Sequence, residues 1–386
     1  LRWERVGLPC SWKVATVPVD AAGSLPKMSP IQSQAPATSG SRRCAGCLTR
    51  NYGTNMARVL IASAVLCQEE SSHVRILRQA GHEVVFPPQP RLLTESDLLA
   101  LLPGIHATIA GPEPYTARVM EAAKDLRIIA RSGVGYDSVD VLAATQRGIA
   151  VTITPGTNHD AVAEHAFALL LVLAKDVVRQ HQETIAGGWS RQPTVPVRGQ
   201  TLGIVGLGRI GKAMALRGLA FGMHVLAAET QPDWDFIRQH RIELVPLEEL
   251  LRRSDFVSLH APYTPQTHHL IRAETLRLMK STAFLINTAR GGLVCERDLL
   301  AALQTGQLRG AALDVFEQEP PDDNPLFHLP NVVVTPHMAG VDTQSLREMA
   351  DMAAETIVRL FRGDWPEDGR IVNPEVRPRF FARPAE

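Results

Sequence analysis

From Met56 onward the chain alternates short runs of aliphatic and β-branched residues with longer stretches in which apolar residues recur every three or four positions. The first series predicts strands at 57–63, 82–86, 106–110, 126–131 and 149–153, with helices near 68–80, 94–101, 115–123 and 138–147. Such alternation means parallel strands joined by right-handed crossovers, hence a doubly wound sheet. A long helix is expected over about 158–186, closed by Gly187-Gly188, and residues 193–198 read as a linker or exposed loop. A second series starts at Thr201, with strands near 201–205, 223–228, 255–260, 282–287, 309–314 and 331–335. Helices near 209–221, 247–252, 272–280 and 296–304 interleave with them, and six strands in this order fit a dinucleotide-binding fold. A last helix, 341–363, has no strand left to feed and is expected to cross back to the first unit. The expected organisation is α/β, with a substrate domain at 56–155 plus 341–375, a dinucleotide-binding domain at 156–340, and a cleft between them.

Residues 1–55 break the pattern. They show neither helical nor strand periodicity and are rich in Pro, Ser, Gly, Ala and Arg. Such a segment buries too little apolar surface to offset its ordering entropy, so disorder is expected. It lacks the layout of a secretory signal. A transit segment is one reading, although amphipathic periodicity is missing. The favoured reading makes Met56, which leads at once into a strand-like run, the true start. Cys44-Ala-Gly-Cys47 lies in this stretch without a second ligand pair or a strand-to-helix setting, and reads as incidental.

Composition narrows the class without naming it. A hydrophobic content of 45% and 21% charged residues are ordinary for a globular enzyme. Lys+Arg and Asp+Glu both number 40, so no basic surplus points to nucleic acid or an anionic membrane. The longest apolar runs, such as 166–174, are far short of the roughly 20 residues that a membrane span needs. Five cysteines, three of them in the first 50 residues, make no disulfide framework. A cytoplasmic setting is expected, with no metal.

The clearest local signal is Gly206-Leu207-Gly208-Arg209-Ile210-Gly211. An apolar strand leads into it, a helix leads out, and an acid, Glu229, ends the next strand. Gly206 permits the tight turn, Gly208 lets a pyrophosphate approach the backbone, and Gly211 lets helix and strand pack closely. The helix N-terminus offers free amides and a positive dipole end to phosphates. Glu229 would accept hydrogen bonds from the adenosine ribose. A 2′-phosphate there would meet a carboxylate, so NAD is expected rather than NADP. A methyltransferase with the same loop is a minor alternative.

Three later segments place polar residues at strand ends: Asn287-Thr288-Ala-Arg290-Gly-Gly292, Leu313-Asp314-Val-Phe-Glu-Gln-Glu319-Pro320 and Thr335-Pro-His337-Met-Ala-Gly340. With Arg131-Ser132-Gly133-Val134-Gly-Tyr-Asp137, Val162-Ala-Glu-His165 and His260-Ala261-Pro262-Tyr-Thr-Pro265, the chain resembles the D-isomer-specific 2-hydroxyacid dehydrogenases. That family includes phosphoglycerate dehydrogenase and glyoxylate/hydroxypyruvate reductase, and the resemblance runs from about residue 57 to 375. It implies a flavodoxin-like substrate domain and a Rossmann NAD-binding domain. It implies His337 as acid–base, Glu319 as the carboxylate that holds its ring, and Arg290 as a planar fork for the substrate carboxylate and keto oxygen. Backbone amides around Ser132, Gly133 and Val134 would bind the other side of that carboxylate. Asp314 would hold the nicotinamide carboxamide. His260, Ala261, Pro262, Thr288 and Gly340 would line the cofactor cleft beside Gly206, Gly208, Arg209, Ile210, Gly211 and Glu229. His165 is as readily a packed helix residue. Cys295 stands where the family commonly has a polar or acidic residue, and reads as an inert thiol.

The expected substrate is a small 2-keto or 2-hydroxy acid. Phosphoglycerate dehydrogenases often carry a basic segment after the third strand of the first domain. This chain has Ala110-Gly111-Pro-Glu113-Pro-Tyr115 instead, and an acid there would repel a phosphate dianion. The Gly-Thr-Asn run at 156–158 and the ending at 372–376 nevertheless resemble short phosphoglycerate dehydrogenases, so 3-phosphoglycerate stays a candidate beside glyoxylate and hydroxypyruvate. The rival class is an NAD-sensing, corepressor-like interaction protein on the same scaffold. Family resemblance suggests a homodimer, with the 158–186 helix and Gly187-Gly188-Trp189 contributing.

Overall fold

The computed structural model describes residues 56–382. Residues 1–55, for which disorder and an incidental Cys44/Cys47 pair are expected, lie outside them. Two all-parallel sheets organise this part of the chain. The first has five strands, β1 (Arg58–Ile61), β2 (Glu83–Val85), β3 (Ala107–Ala110), β4 (Ile128–Arg131) and β5 (Ala150–Thr152), in the order β2-β1-β3-β4-β5. Helices α1 (Ser72–Gln79), α2 (Glu95–Leu101), α3 (Ala117–Ala122) and α4 (Val141–Gln146) make its crossovers. β3 and β4 are buried along their whole length, as strands covered on both faces must be.

Two helices follow where one is expected: α5 (His159–Lys175) and α6 (Val177–Ile185). The break is at Asp176, which adopts the left-handed conformation (φ 53°, ψ 39°). The cause is tertiary. The Ala174 carbonyl, which a continuous helix would offer to residue 178, accepts instead from the Val195 amide at 2.9 Å. Asp tolerates the left-handed region better than most residues.

The second sheet has seven strands: β6 (Thr201–Val205), β7 (His224–Ala228), β8 (Glu243–Leu244), β9 (Phe256–Leu259), β10 (Phe284–Asn287), β11 (Gly310–Leu313) and β12 (Val332–Val334). Their order is β12-β11-β10-β9-β6-β7-β8. Both orders are the doubly wound ones, each with a switch point where successive crossovers leave in opposite directions. Helices α7 (Arg209–Ala220), α8 (Trp234–His240), α9 (Leu247–Arg253), α10 (Ala273–Leu276) and α11 (Glu296–Gln304) connect these strands. The six-strand expectation missed β8, whose two residues are too few to show a period. It also missed α8, although Asp233 caps it by accepting from the Asp235 and Phe236 amides.

The final long helix, α12 (Thr343–Phe361), packs on the first sheet. Ala350, Ala353, Ala354 and Ile357 share a core with Val59, Ile61, Ile109 and Ile128. The chain then pairs Ile371 with Thr152, and the buried Asn373 side chain accepts from the Val151 amide at 2.9 Å. A short terminal helix, α13 (Arg377–Ala382), was not anticipated. No helix among the described residues is long and apolar enough to cross a membrane.

Candidate active site

The dinucleotide loop leaves β6 at the switch point of the seven-stranded sheet. Gly206 has φ +93°, a conformation closed to most side chains, and a Cβ at Gly211 would collide with the Gly206 carbonyl. A Cβ at Gly208, by contrast, would meet nothing within 4 Å. The N-terminal turn of α7, which begins with Arg209 and Ile210, therefore faces open space, as a phosphate cradle must. Glu229 grips the loop from the end of β7. Its carboxylate accepts from the Leu207 amide at 2.7 Å and the Gln231 amide at 2.8 Å. Burial alone would raise the Glu229 carboxyl, but the hydrogen bonds from Gln231, Leu207 and Thr230 outweigh it and hold the group below its ordinary value. A fixed carboxylate there suits a ribose diol and repels a 2′-phosphate.

Two buried polar atoms at the ends of β9 and β10 have no partner among the described residues: His260 Nδ1 and Thr288 Oγ1. The His260 ring is bonded through Nε2 to Ser258 at 2.9 Å, and burial lowers it to about 4, so it stays neutral at working pH. Gly206 sits over the His260–Ala261 peptide, and the Pro262 carbonyl accepts from Thr267 at 2.8 Å. Orphaned donors and acceptors beside an open helix N-terminus fit a polar dinucleotide.

A carboxylate–imidazole pair is formed across the ends of β11 and β12. His337 Nδ1 lies 2.5 Å from Glu319 Oε2, and Glu319 Oε1 accepts from the Phe316 amide at 2.9 Å. Burial pushes the Glu319 carboxyl up, but the bond to His337, its charge, the Phe316 amide and nearby Arg290 bring it below its ordinary value. Glu319 is therefore ionised and can only accept, so Nδ1 must carry the proton, while Nε2 has no partner among the described residues. His337 itself has φ +52°, uncommon for a residue with a side chain. Asp314, fully buried, holds that turn. Its carboxylate accepts from Thr335 Oγ1 at 2.5 Å and from the Met338 and Ala339 amides at 2.9 and 2.8 Å, while its carbonyl accepts the His337 amide. His165 Nε2 lies 3.0 Å from the Thr335 hydroxyl. Asp314 thus orders the His337 loop in addition to the cofactor contact expected of it. Gly340 closes the turn against the Asn158 side chain.

Arg290 follows β10 on a turn braced by the buried Asn287 amide, which donates to the Arg290 carbonyl at 2.9 Å. Its Nε donates to Asp137 Oδ2 at 2.8 Å, and its Nη2 rests against Gly135. Arg290 thereby reaches from one sheet's loops to the other's, which a separation of 153 residues could not reveal.

The three amides expected for the substrate carboxylate are not equivalent. Ser132 N is engaged by the Ala110 carbonyl at 2.8 Å and Gly133 N by Thr154 Oγ1 at 2.9 Å. Val134 N has no partner among the described residues, so it is the amide free to bind. Glu113, expected to face substrate, is instead 1% exposed, its carboxylate turned back to accept from the Gly111 amide at 2.6 Å. It is part of the wall, so its charge does not meet the cleft directly. Asp137, Thr154 and Thr335 complete this arrangement and were not assigned from sequence, because their roles rest on partners distant in the chain.

Two parallel sheets in these orders, a Gly-rich loop with an acid behind it, and a histidine held by a carboxylate that an arginine also approaches define a nicotinamide-dependent dehydrogenase. The family model described as D-isomer specific 2-hydroxyacid dehydrogenase, NAD binding domain, matches residues 167–339. A glyoxylate reductase from Korarchaeum cryptofilum is 47% identical over 271 residues, covering 68% of this chain and 81% of the relative. A D-3-phosphoglycerate dehydrogenase from Methanocaldococcus jannaschii is 37% identical over 304 residues, covering 78% of this chain and 57% of the relative. Among solved structures, D-lactate dehydrogenase from Aquifex aeolicus, in complex with NAD and lactic acid, superposes with a TM-score of 0.73 at 29% identity, covering 82% of this chain and 98% of that one. The chain belongs to the D-isomer-specific 2-hydroxyacid dehydrogenase family. It is an NAD-dependent oxidoreductase acting between a small 2-hydroxy acid and its 2-keto acid, and nothing supports the corepressor reading.

Proposed function

We propose that the chain reduces a small unphosphorylated 2-keto acid, glyoxylate or hydroxypyruvate, to the 2-hydroxy acid, with His337, Glu319 and Arg290 as the catalytic set. The observation that carries this reading is the His337–Glu319 pair at 2.5 Å, with Nε2 left free. Bound NADH supplies the hydride for C2 of the keto acid. His337 gives a proton from Nε2 to the C2 oxygen as negative charge develops there, and Glu319 stabilises the imidazolium that must exist before that transfer. Arg290 lowers the charge on the same oxygen and orients the carboxylate, whose other side meets the Val134 amide. In the oxidative direction the neutral imidazole accepts the hydroxyl proton.

Gly206, Gly208, Arg209, Ile210 and Gly211 would hold the pyrophosphate, and Glu229 the adenosine ribose. His260, Ala261, Pro262, Thr288, Asp314 and Gly340 would surround the remainder. The preference for an unphosphorylated substrate rests on the turn after β3, residues 111–115, which presents no cation to a phosphate. Oxidation of 3-phosphoglycerate is the second reading, favoured by the phosphoglycerate dehydrogenase relative. We assign residues 56–155 and 341–375 to the substrate domain and 156–340 to the cofactor domain. A homodimer in the cytoplasm completes the proposal.

A panel of 2-keto acids with NADH and NADPH tests it. Glyoxylate or hydroxypyruvate should give the highest kcat/KM, NADH should be preferred, and His337→Ala should lower kcat about 10²–10⁴-fold while leaving NADH binding in place. Turnover of 3-phosphoglycerate alone would select the second reading. An NADPH preference unchanged in Glu229→Ala would remove the role given to Glu229.

A further inference from the structure

Outside the catalytic set, three chemically different side chains from three segments converge on one point. His269 Nε2, Cys295 Sγ and a Glu317 carboxylate oxygen all lie within 4.8 Å of one another. Each is held by its own backbone. The His269 amide donates to the Gly292 carbonyl at 2.8 Å, and the Cys295 amide to the Ile271 carbonyl at 2.8 Å. The Glu317 amide donates to Glu296 Oε1 at 2.7 Å. The segment leading to Cys295 and the one bearing Glu317 are also in direct contact, since a Cβ on Gly291 would meet the Phe316 and Glu317 backbone.

The imidazole is pre-set as well. Its ring stacks on His268 with centroids 3.8 Å apart, and His268 is bonded to the Tyr263 hydroxyl at 3.1 Å. An isolated ion pair explains only part of the cluster. His269 Nε2 and Glu317 Oε1 are 2.7 Å apart, but the pair does not account for the buried Cys295 thiol, which lies beside both as well as within hydrogen-bond reach of Asp298.

We infer that His269, Cys295 and Glu317 form a metal site for a borderline-soft divalent cation of the zinc class, bound by three protein ligands with the fourth position open to water. Thiolate, imidazole and carboxylate are the ligand types such a cation takes, at about 2.0–2.3 Å in tetrahedral geometry. The His269–Glu317 separation need open only slightly to admit it. On binding, Cys295 gives up its thiol proton to solvent and a sulfur–metal bond forms, with no change in oxidation state. Burial, with Asp298 and Glu317 nearby, holds the free thiol above its ordinary value, so without the cation it is a poor nucleophile.

The site would act as a clamp. Cys295 lies five residues after Arg290 and Glu317 two residues before Glu319, so one cation would tie the Arg290 turn to the loop that carries Glu319. None of its three ligands is among the residues given a part in the reaction, and the inference stands whichever keto acid is turned over.

The test is cobalt substitution on the full chain. After chelator treatment and dialysis, Co²⁺ is titrated under argon while the thiolate-to-cobalt charge-transfer band in the near ultraviolet is followed. One equivalent per chain should saturate the band. Cys295→Ser should abolish it, His269→Ala should weaken binding at least tenfold, and the Cys44→Ser/Cys47→Ser double variant should keep it. Zinc should raise Tm in the wild type and not in Cys295→Ser. Metal-free Cys295→Ser should turn over keto acid at the rate of the metal-free wild type, which checks its folding. Absence of the band in the wild type, its survival in Cys295→Ser, or its loss in Cys44→Ser/Cys47→Ser would each overturn the assignment.

Discussion

Two carboxylates near the cleft show how environment gives one chemical group different tasks. Glu319 is drawn below its ordinary value by His337, the Phe316 amide and Arg290, despite burial. It therefore stays charged through the working range and favours the protonated imidazole. Glu319→Gln keeps the shape and removes the charge. The kcat for keto-acid reduction should then fall about tenfold or more, with NADH binding in place. Steady-state kinetics and an NADH titration check this, and an unchanged kcat would mean that the Glu319 charge plays no part.

Glu113 is the opposite case. Burial raises it above its ordinary value, and hydrogen bonds from its own amide and from Gly111, together with Arg131, offset only part of that cost. The folded state thus holds this proton more tightly than the unfolded state. The group's contribution to stability must fall as pH rises through its ordinary value toward its folded one. Glu113→Gln should match the wild-type Tm near pH 4 and equal or exceed it at pH 7. Glu113→Leu, which strands the buried Gly111 amide, should cost about 1–3 kcal/mol in urea unfolding at either pH.

At the scale of elements, the join between α5 and α6 is the instructive departure from expectation. The apolar period of residues 158–186 runs on through Asp176, and no Gly or Pro interrupts it. What ends α5 is a competing donor, the Val195 amide, delivered by a loop that sequence reasoning could describe only as irregular. Asp176 sits in the left-handed region to permit this. Asp176→Gly should leave stability unchanged or raise it slightly. Asp176→Val should lower it by about 1–2 kcal/mol, since both variants lose the same surface pair with Arg179 and differ in backbone preference. Chemical denaturation of the two variants side by side gives that difference directly.

At the scale of the whole molecule, α6 is the element whose apolar residues remain uncovered. No residue of it is buried, and Val177, Val178 and Ile185 are exposed, with Trp189 just beyond at 82%. An apolar ridge of this kind asks for a partner surface, and a second copy of the chain is the occupant proposed above. Light scattering should return twice the chain mass for the wild type. Ile185→Asp with Trp189→Asp should shift it toward the single-chain mass without loss of helical signal, and a monomeric wild type would remove the dimer. A chain starting at Met56 should retain full activity and Tm, and a loss of either would show that residues 1–55 contribute to the folded enzyme.

Much of this protein was legible along the chain because local physics writes it there. Strand–helix alternation follows from side-chain period, and Gly206-x-Gly208-x-x-Gly211 from backbone room near a phosphate. Arg290, Glu319 and His337 stood out as candidates by their order within a family pattern. Other features depend on partners that no local rule brings together. Tertiary structure decided that Glu113 turns into the wall, that Val134 offers the free amide, and that Asp314 and Thr335 hold the His337 turn. It also brought Asp137 to Arg290 across 153 residues, and His269 and Glu317 to a cysteine that looked inert in sequence. The reason is common to all of these. Periodicity and propensity act over a few residues, whereas burial, hydrogen-bond competition and charge pairing depend on which distant strand end the completed sheets set opposite.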